Sequence, residues 1–142
     1  MPTLYIVRGV PGSGKSTRAL DIVGGYALSN LPYHIEVDMF MVDANGNYSF
    51  EGSRLPECHR KCQEATARAM CTGKDVIVAN TFIRKWEAEV YYTLAKVFGY
   101  TVKVYRMTGE YGNEHGVPQD RVDTMRANME DYDGEEMVGD NV

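Results

Sequence analysis

The chain has 142 residues, 44% hydrophobic and 25% charged, with a net charge of −5, which is ordinary globular composition at the length of one domain. A chain of this size buries roughly two thirds of the surface it exposes when unfolded, so neither disulfides nor a structural metal are needed to hold it. The longest apolar runs, such as residues 76–79, are far shorter than the ~20 residues that span a bilayer, and the N-terminus enters strand-like sequence without a signal peptide; the expectation is a cytoplasmic protein with no membrane contact.

In chain order, residues 3–8 form a β-rich run that reaches Gly9, and residues 16–25 read as a helix ended by Gly24 and Gly25. Residues 33–38 are a second short strand that ends on the carboxylate of Asp38, and residues 43–47 have the turn chemistry of a small hairpin or loop. A helix over about 55–71 begins near Pro56 and stops at Gly73. It carries Cys58, His59, Cys62 and Cys71, an odd number of cysteines without the second ligand pair of a zinc site, which fits reduced thiols. Residues 75–79 have the pattern of a strand buried on both faces. Residues 84–98 read as a helix closed by Gly99, residues 100–107 as a strand, and a turn with Gly112 and Gly116 leads to a last helix over 119–129. From Glu130 onward there are six of the 20 acids and no Lys or Arg, which leaves 14 acids against 15 bases before it. The acidity therefore reads as a solvated, partly disordered tail, residues 130–142, behind a nearly neutral domain, residues 1–129. Strands alternating with helices imply a three-layer α/β fold with a mostly parallel central sheet.

The chemistry concentrates at Gly9-Val-Pro-Gly-Ser-Gly-Lys-Ser16, which fits G-x-x-x-x-G-K-[ST] between a strand and a helix. Glycines let backbone N–H groups converge on a phosphate chain, and the helix N-terminus adds the positive end of its dipole. Gly9, Pro11, Gly12, Ser13, Gly14, Lys15, Ser16 and Thr17 are the expected nucleotide-binding residues: Lys15 bridges the β- and γ-phosphates of ATP and Ser16 ligates Mg²⁺. A motor ATPase adds a carboxylate at the end of a second buried strand, but residues 76–80 end in Ala79-Asn80. Asp38 offers a carboxylate instead, suited to take the proton of an attacking hydroxyl; the other readings are a turn cap or support of Mg²⁺ through water.

With these residues in place, the chain resembles the polynucleotide-kinase-like P-loop kinases, the family of the phage 5′-hydroxyl polynucleotide kinase. The likeness runs from Gly9 to Met129 and is carried by Gly9–Thr17, Asp38-Met-Phe40, Gly46-Asn-Tyr-Ser-Phe50, Asn80-Thr81, Leu94-Ala-Lys-Val-Phe-Gly-Tyr100 and His115-Gly-Val-Pro118. It implies a P-loop kinase fold, Lys15, Ser16 and Thr17 at phosphate and metal, Asp38 as general base, and Asn80 and Thr81 lining the active site. The family's second acid and its acceptor-binding basic residue fall on Met39 and Met41, and its lid arginine on Gly112; Arg84, Lys85, Arg106, Arg121 and Arg126 are replacement candidates. His115 has two readings, contact with phosphate or acceptor and fixing of its turn. Trp86, with Tyr91 and Tyr92, is either a stacking surface or groove packing. The implied function is transfer of the γ-phosphoryl of ATP to a hydroxyl on DNA or RNA, at a 5′ end or on a hydroxymethylated pyrimidine. The alternatives are a small-molecule or nucleotide kinase and a nucleotide-binding switch with little catalysis.

Overall fold

Alternation of side chains along β1 (Thr3–Arg8) sets the layers of the molecule. Leu4 and Ile6 point to one face of the sheet, Tyr5 and Val7 to the other. The computed structural model describes residues 1–112 and 116–139. The remaining elements are α1 (Lys15–Gly24), β2 (Tyr33–Glu36), α2 (Leu55–Met70), β3 (Val76–Asn80), α3 (Glu89–Phe98), β4 (Thr101–Met107), α4 (Gln119–Asn128) and β5 (Glu136–Val138). The described strands form a five-stranded sheet in the order β2-β3-β1-β4-β5, parallel at every pairing. Leu4, Ile6, Val76, Val78 and Val104 pack against Cys62, Met70, Tyr91 and Ala95 of α2 and α3. Val7, Ile77, Tyr105 and Met107 pack against Ala19, Ile22 and Val23 of α1. Both faces are covered, which is why β3 is buried at every residue and reads as an unbroken apolar run. No helix among the described residues is long and apolar enough to cross a membrane.

Because all strands run the same way, the segments after β1, β2, β3 and β4 gather on one rim, the place where ligands sit in open α/β sheets. Two of them differ from the sequence expectation. The strand expected to reach Asp38 stops at Glu36: the N–H of Val37 donates to the Asn80 side-chain oxygen at 2.8 Å, and the chain enters a 3₁₀ turn over Val37–Phe40. A side-chain acceptor replaces the next ladder bond and ends the pairing. The helix expected over 84–98 is divided into a 3₁₀ turn, Lys85–Ala88, and α3; Glu87 reaches back to accept the N–H of Arg84 at 2.7 Å.

The acidic segment is the largest correction. Instead of trailing away as a solvated end, it is built into the fold as far as β5, which pairs with β4 from Tyr105↔Glu136 to Met107↔Val138. Burial of Tyr132 in the core and pairing of charge hold it there. Arg8 and Arg106 lie side by side in the β1–β4 register, and two adjacent guanidinium groups repel unless an anion joins them. Glu135 accepts from Arg8 at 2.6 Å and from Arg106 at 3.3 Å, while Asp131 accepts from Arg106 at 2.7 Å. Arg8 is 0% exposed; it also donates to the carbonyls of Phe82, Ile83 and Glu130 and lies 3.6 Å from the centre of the Tyr132 ring. Arg8→Ala would leave these acceptors buried without their donor, so the protein should lose about 3–5 kcal/mol. Urea denaturation measures it; a loss under ~1 kcal/mol would show that the cluster contributes little to the fold.

Candidate functional site

The phosphate loop joins β1 to α1 at the centre of the rim. A side chain on Gly9 would run into the Ser13 hydroxyl and lie 2.9 Å from the Met107 carbonyl, so only glycine permits this approach. Gly14 adopts φ +101°, in the left-handed region, under the ring of Tyr111. The N–H of Arg18 donates to the Gly14 carbonyl at 3.0 Å and starts the helix; the N–H groups ahead of it have no place in the helical ladder and form the anion-binding end.

Lys15 folds back over the loop and donates to the Val10 carbonyl at 3.0 Å. Burial holds its pKa down to about 8, against an opposing pull from the nearby charges of Glu36 and Asp38. Ser16 is exposed at the start of α1, and its hydroxyl donates to Glu36, whose two oxygens lie at 3.2 and 3.3 Å. His34, two residues earlier on the same face of β2, places Nε2 2.7 Å from Glu36 Oε2, an approach too bent for a regular hydrogen bond. Asp38 sits in the 3₁₀ turn beyond β2. Its backbone carbonyl accepts the N–H of Met41 at 3.1 Å, and the segment that follows is fixed by Arg54, which donates to the carbonyls of Val42 and Phe40. Burial, with the charge of Asp38, raises the pKa of Tyr48.

The other expected site residues divide. Ser13 is buried beneath the loop against Gly9, and its N–H is taken by the Val10 carbonyl at 3.1 Å, so it supports the loop and does not face outward. Thr17 is exposed on α1. Asn80, expected to line the site, is only 4% exposed: its oxygen holds Val37 and its amide donates to Cys62 Sγ at 3.7 Å. It positions the turn that carries Asp38. Thr81 is partly buried and accepts the N–H of Gly9 at 3.2 Å through its carbonyl. Arg84 and Lys85 are exposed on the segment after β3. Arg106 is held in the acidic cluster. Arg126 donates to the carbonyls of Thr108 and Gly109 and lines a polar cleft of about 210 Å³ with Pro11, Gly12, Tyr111 and Gln119, which places it beside the phosphate loop. Tyr111 closes the other wall, its N–H donating to the Gly12 carbonyl at 2.8 Å. His115 lies outside the described residues.

Glu36, Tyr111 and Arg8 were missed by reasoning from sequence. For Glu36 the signal was present: two acids at i and i+2 at the end of an extended run share a face. Tyr111 and Arg8 had no such signal, because their partners are distant in sequence.

A phosphate loop between the central strand and a helix, at the carboxyl rim of an all-parallel sheet with helices on both faces, defines a P-loop kinase fold. The family profile of the AAA domain, AAA_33, matches residues 4–110, and the chain belongs to that family. A protein of Pasteurella multocida (strain Pm70), described as uncharacterized, is 30% identical over 127 residues, 82% of this chain and 70% of its own length. A sugar kinase from Janibacter sp. HTCC2649 superposes with a TM-score of 0.67 at 18% identity, over 98% of this chain and 86% of its own. A chain of the Pnkp1/Rnl/Hen1 RNA repair complex superposes with a TM-score of 0.61 at 15% identity; the match covers 87% of this chain and 36% of that longer one.

Proposed function

We propose that this chain is an ATP-dependent phosphotransferase that moves the γ-phosphoryl group of ATP to a hydroxyl on a nucleic acid, at a 5′ end or on a hydroxymethylated pyrimidine. The observation that supports this reading is the position of Asp38 in the turn directly after β2, on the same rim as the phosphate loop, where its charge acts on Lys15. The α1 N-terminus and Lys15 hold the phosphates, and Lys15 follows the γ-phosphoryl group as its charge redistributes. The Asp38 carboxylate orients the acceptor hydroxyl and takes its proton late, as the acceptor oxygen bonds to the γ-phosphorus and the bond to the ADP oxygen breaks. Arg126 is the cation best placed to cover the nucleotide, since it stands at the edge of the loop. An exposed serine hydroxyl beside a carboxylate is an oxygen donor set that suits Mg²⁺, so Ser16 would hold it. Bound with ATP, magnesium neutralises the charge shared by the β- and γ-phosphates. All the reacting groups lie within residues 1–129, and the segment from Glu130 supports them.

Exposed side chains on the segments after β2 and β3 support a nucleic acid acceptor. Trp86 is 68% exposed and Phe50 57%, with Arg84 and Lys85 beside Trp86 in sequence; aromatic rings interleaved with cations suit bases and backbone phosphates. The likeness to a chain of an RNA repair complex agrees with this. The second reading, a kinase of small molecules, is favoured by the sugar kinase, which matches over most of both chains. Transfer of label from γ-labelled ATP should occur with 5′-hydroxyl oligonucleotides or hydroxymethyluracil DNA. Label on sugars or nucleosides alone would select the second reading, and tight nucleotide binding with no acceptor would select a switch.

Lys15 gives a pH signature. With its pKa at about 8 it is charged below that pH and neutral above it. Contact with phosphates raises the pKa again, so nucleotide binding should take up a proton, from ~0 near pH 6.5 to about one near pH 9. Calorimetry in buffers of different ionisation enthalpy counts it. Uptake that persists in Lys15→Ala would assign the proton to another group.

A further inference from the structure

In the reading above, magnesium has one protein ligand, because β3 ends in Ala79 and Asn80 and brings no acid to the loop. We propose that Glu36, at the end of β2, is the second protein group facing the divalent cation, and that His34 is a positioning residue whose ring confines the carboxylate beside Ser16. This rests on the phosphate-binding reading of the loop.

A serine hydroxyl that offers a lone pair to a cation must direct its proton elsewhere, and Glu36 is the acceptor of that proton at 3.2 Å. The carboxylate is bisected by the hydroxyl, its second oxygen lying at 3.3 Å. On its other side Oε2 lies 2.7 Å from His34 Nε2 without a regular hydrogen bond, so the imidazole borders the carboxylate opposite Ser16 and limits where it can turn. Its side chain keeps 14% exposure, an open edge on the rim. Glu36 and His34 lie on one face of a strand, which restricts their movement more than a loop would. The charge of Glu36 also reaches Lys15, which places it at the phosphates that bring the cation. Among the described residues no three His, Cys, Asp or Glu side chains could hold a metal by themselves. A single carboxylate and a hydroxyl that complete a cation already carried by phosphates is the arrangement magnesium prefers.

The test measures binding, not turnover, on the full chain. ADP and a non-hydrolysable ATP analogue are titrated by calorimetry with Mg²⁺ and with EDTA, and the ratio of the two affinities gives the contribution of the metal. Glu36→Gln should reduce that ratio by about 10–100-fold. Metal-free affinity should hold or rise, since a negative charge beside the phosphates is gone. His34→Ala should act in the same direction by about tenfold, and His34→Gln, which restores much of the side chain's bulk beside the carboxylate, should recover part of it. An unchanged ratio in Glu36→Gln, or an equal loss with and without metal, would overturn the proposal. Failure of the native protein to bind nucleotide would overturn both this and the kinase reading. A lost metal ratio in a protein that phosphorylates no acceptor would sustain Glu36 and end only the kinase reading.

Discussion

Replacement of Lys15 by alanine should lower phosphoryl transfer by about 10³-fold or more, the scale on which a positioned cation acts on a transferring phosphoryl group. Its ammonium is the one side-chain cation of the loop itself, and a neutral methyl cannot follow the γ-phosphoryl as charge builds on the leaving oxygen. The fold should survive. Lys15 makes its hydrogen bond to the Val10 carbonyl on the rim, and removing a partly buried, desolvated cation costs the core nothing. The melting temperature should therefore stay within a few degrees of the native value, a shift of about 1 kcal/mol at most. Single-turnover kinetics with labelled ATP, run beside a thermal melt, separates the two quantities. Near-native transfer by a folded Lys15→Ala protein would remove the loop from the reaction.

Asp38→Asn should reduce transfer to the true acceptor by about 10²–10⁴-fold, the usual contribution of a general base, since an amide of the same shape cannot take a proton. Nucleotide affinity should change little, because Gly9–Thr17 govern it. Each competing role leaves a different pattern. If Asp38 held the metal, nucleotide affinity and its magnesium dependence would fall together with turnover. If it only capped the 3₁₀ turn, stability would drop by about 1 kcal/mol and transfer would persist. The structure gives this experiment a control, because Glu36→Gln is expected to show the metal pattern and Asp38→Asn the base pattern. Two acids two residues apart would then be distinguished by assay, one on the strand and one on the turn. Unchanged single-turnover transfer in Asp38→Asn removes it from the catalytic residues.

The alternation of strands and helices was legible in the sequence because each signal is local. A β-rich run before glycines, an apolar run buried on both faces and glycines after helices need no knowledge of the rest of the chain. The phosphate loop was legible for the same reason: its glycines, Lys15 and Ser16 act within eight consecutive residues. Lys15 and Asp38 could thus be named from the sequence, together with a parallel α/β sheet around them.

Where those groups stand relative to one another was decided by tertiary contacts. The resemblance implied that Asn80 lines the active site, whereas its neighbours Val37 and Cys62 turn its side chain inward. The acidic segment was read as a solvated end because six acids without a base look like one. The β1–β4 register, which sets Arg8 beside Arg106, creates a positive site that Glu135 meets, and Tyr132 is buried beside it, so the segment is held in place and a fifth strand is added. The sequence carried a signal for Glu36, but its partner was decided when β2 was laid beside β3 and its carboxylate came to meet Ser16, 20 residues away in the chain. Sequence determines which groups can bind phosphate or move a proton, because that chemistry belongs to single side chains and short spacings. Charge pairing and burial between distant segments belong to the folded sheet, and they decide which of those groups face the rim and which hold it in shape.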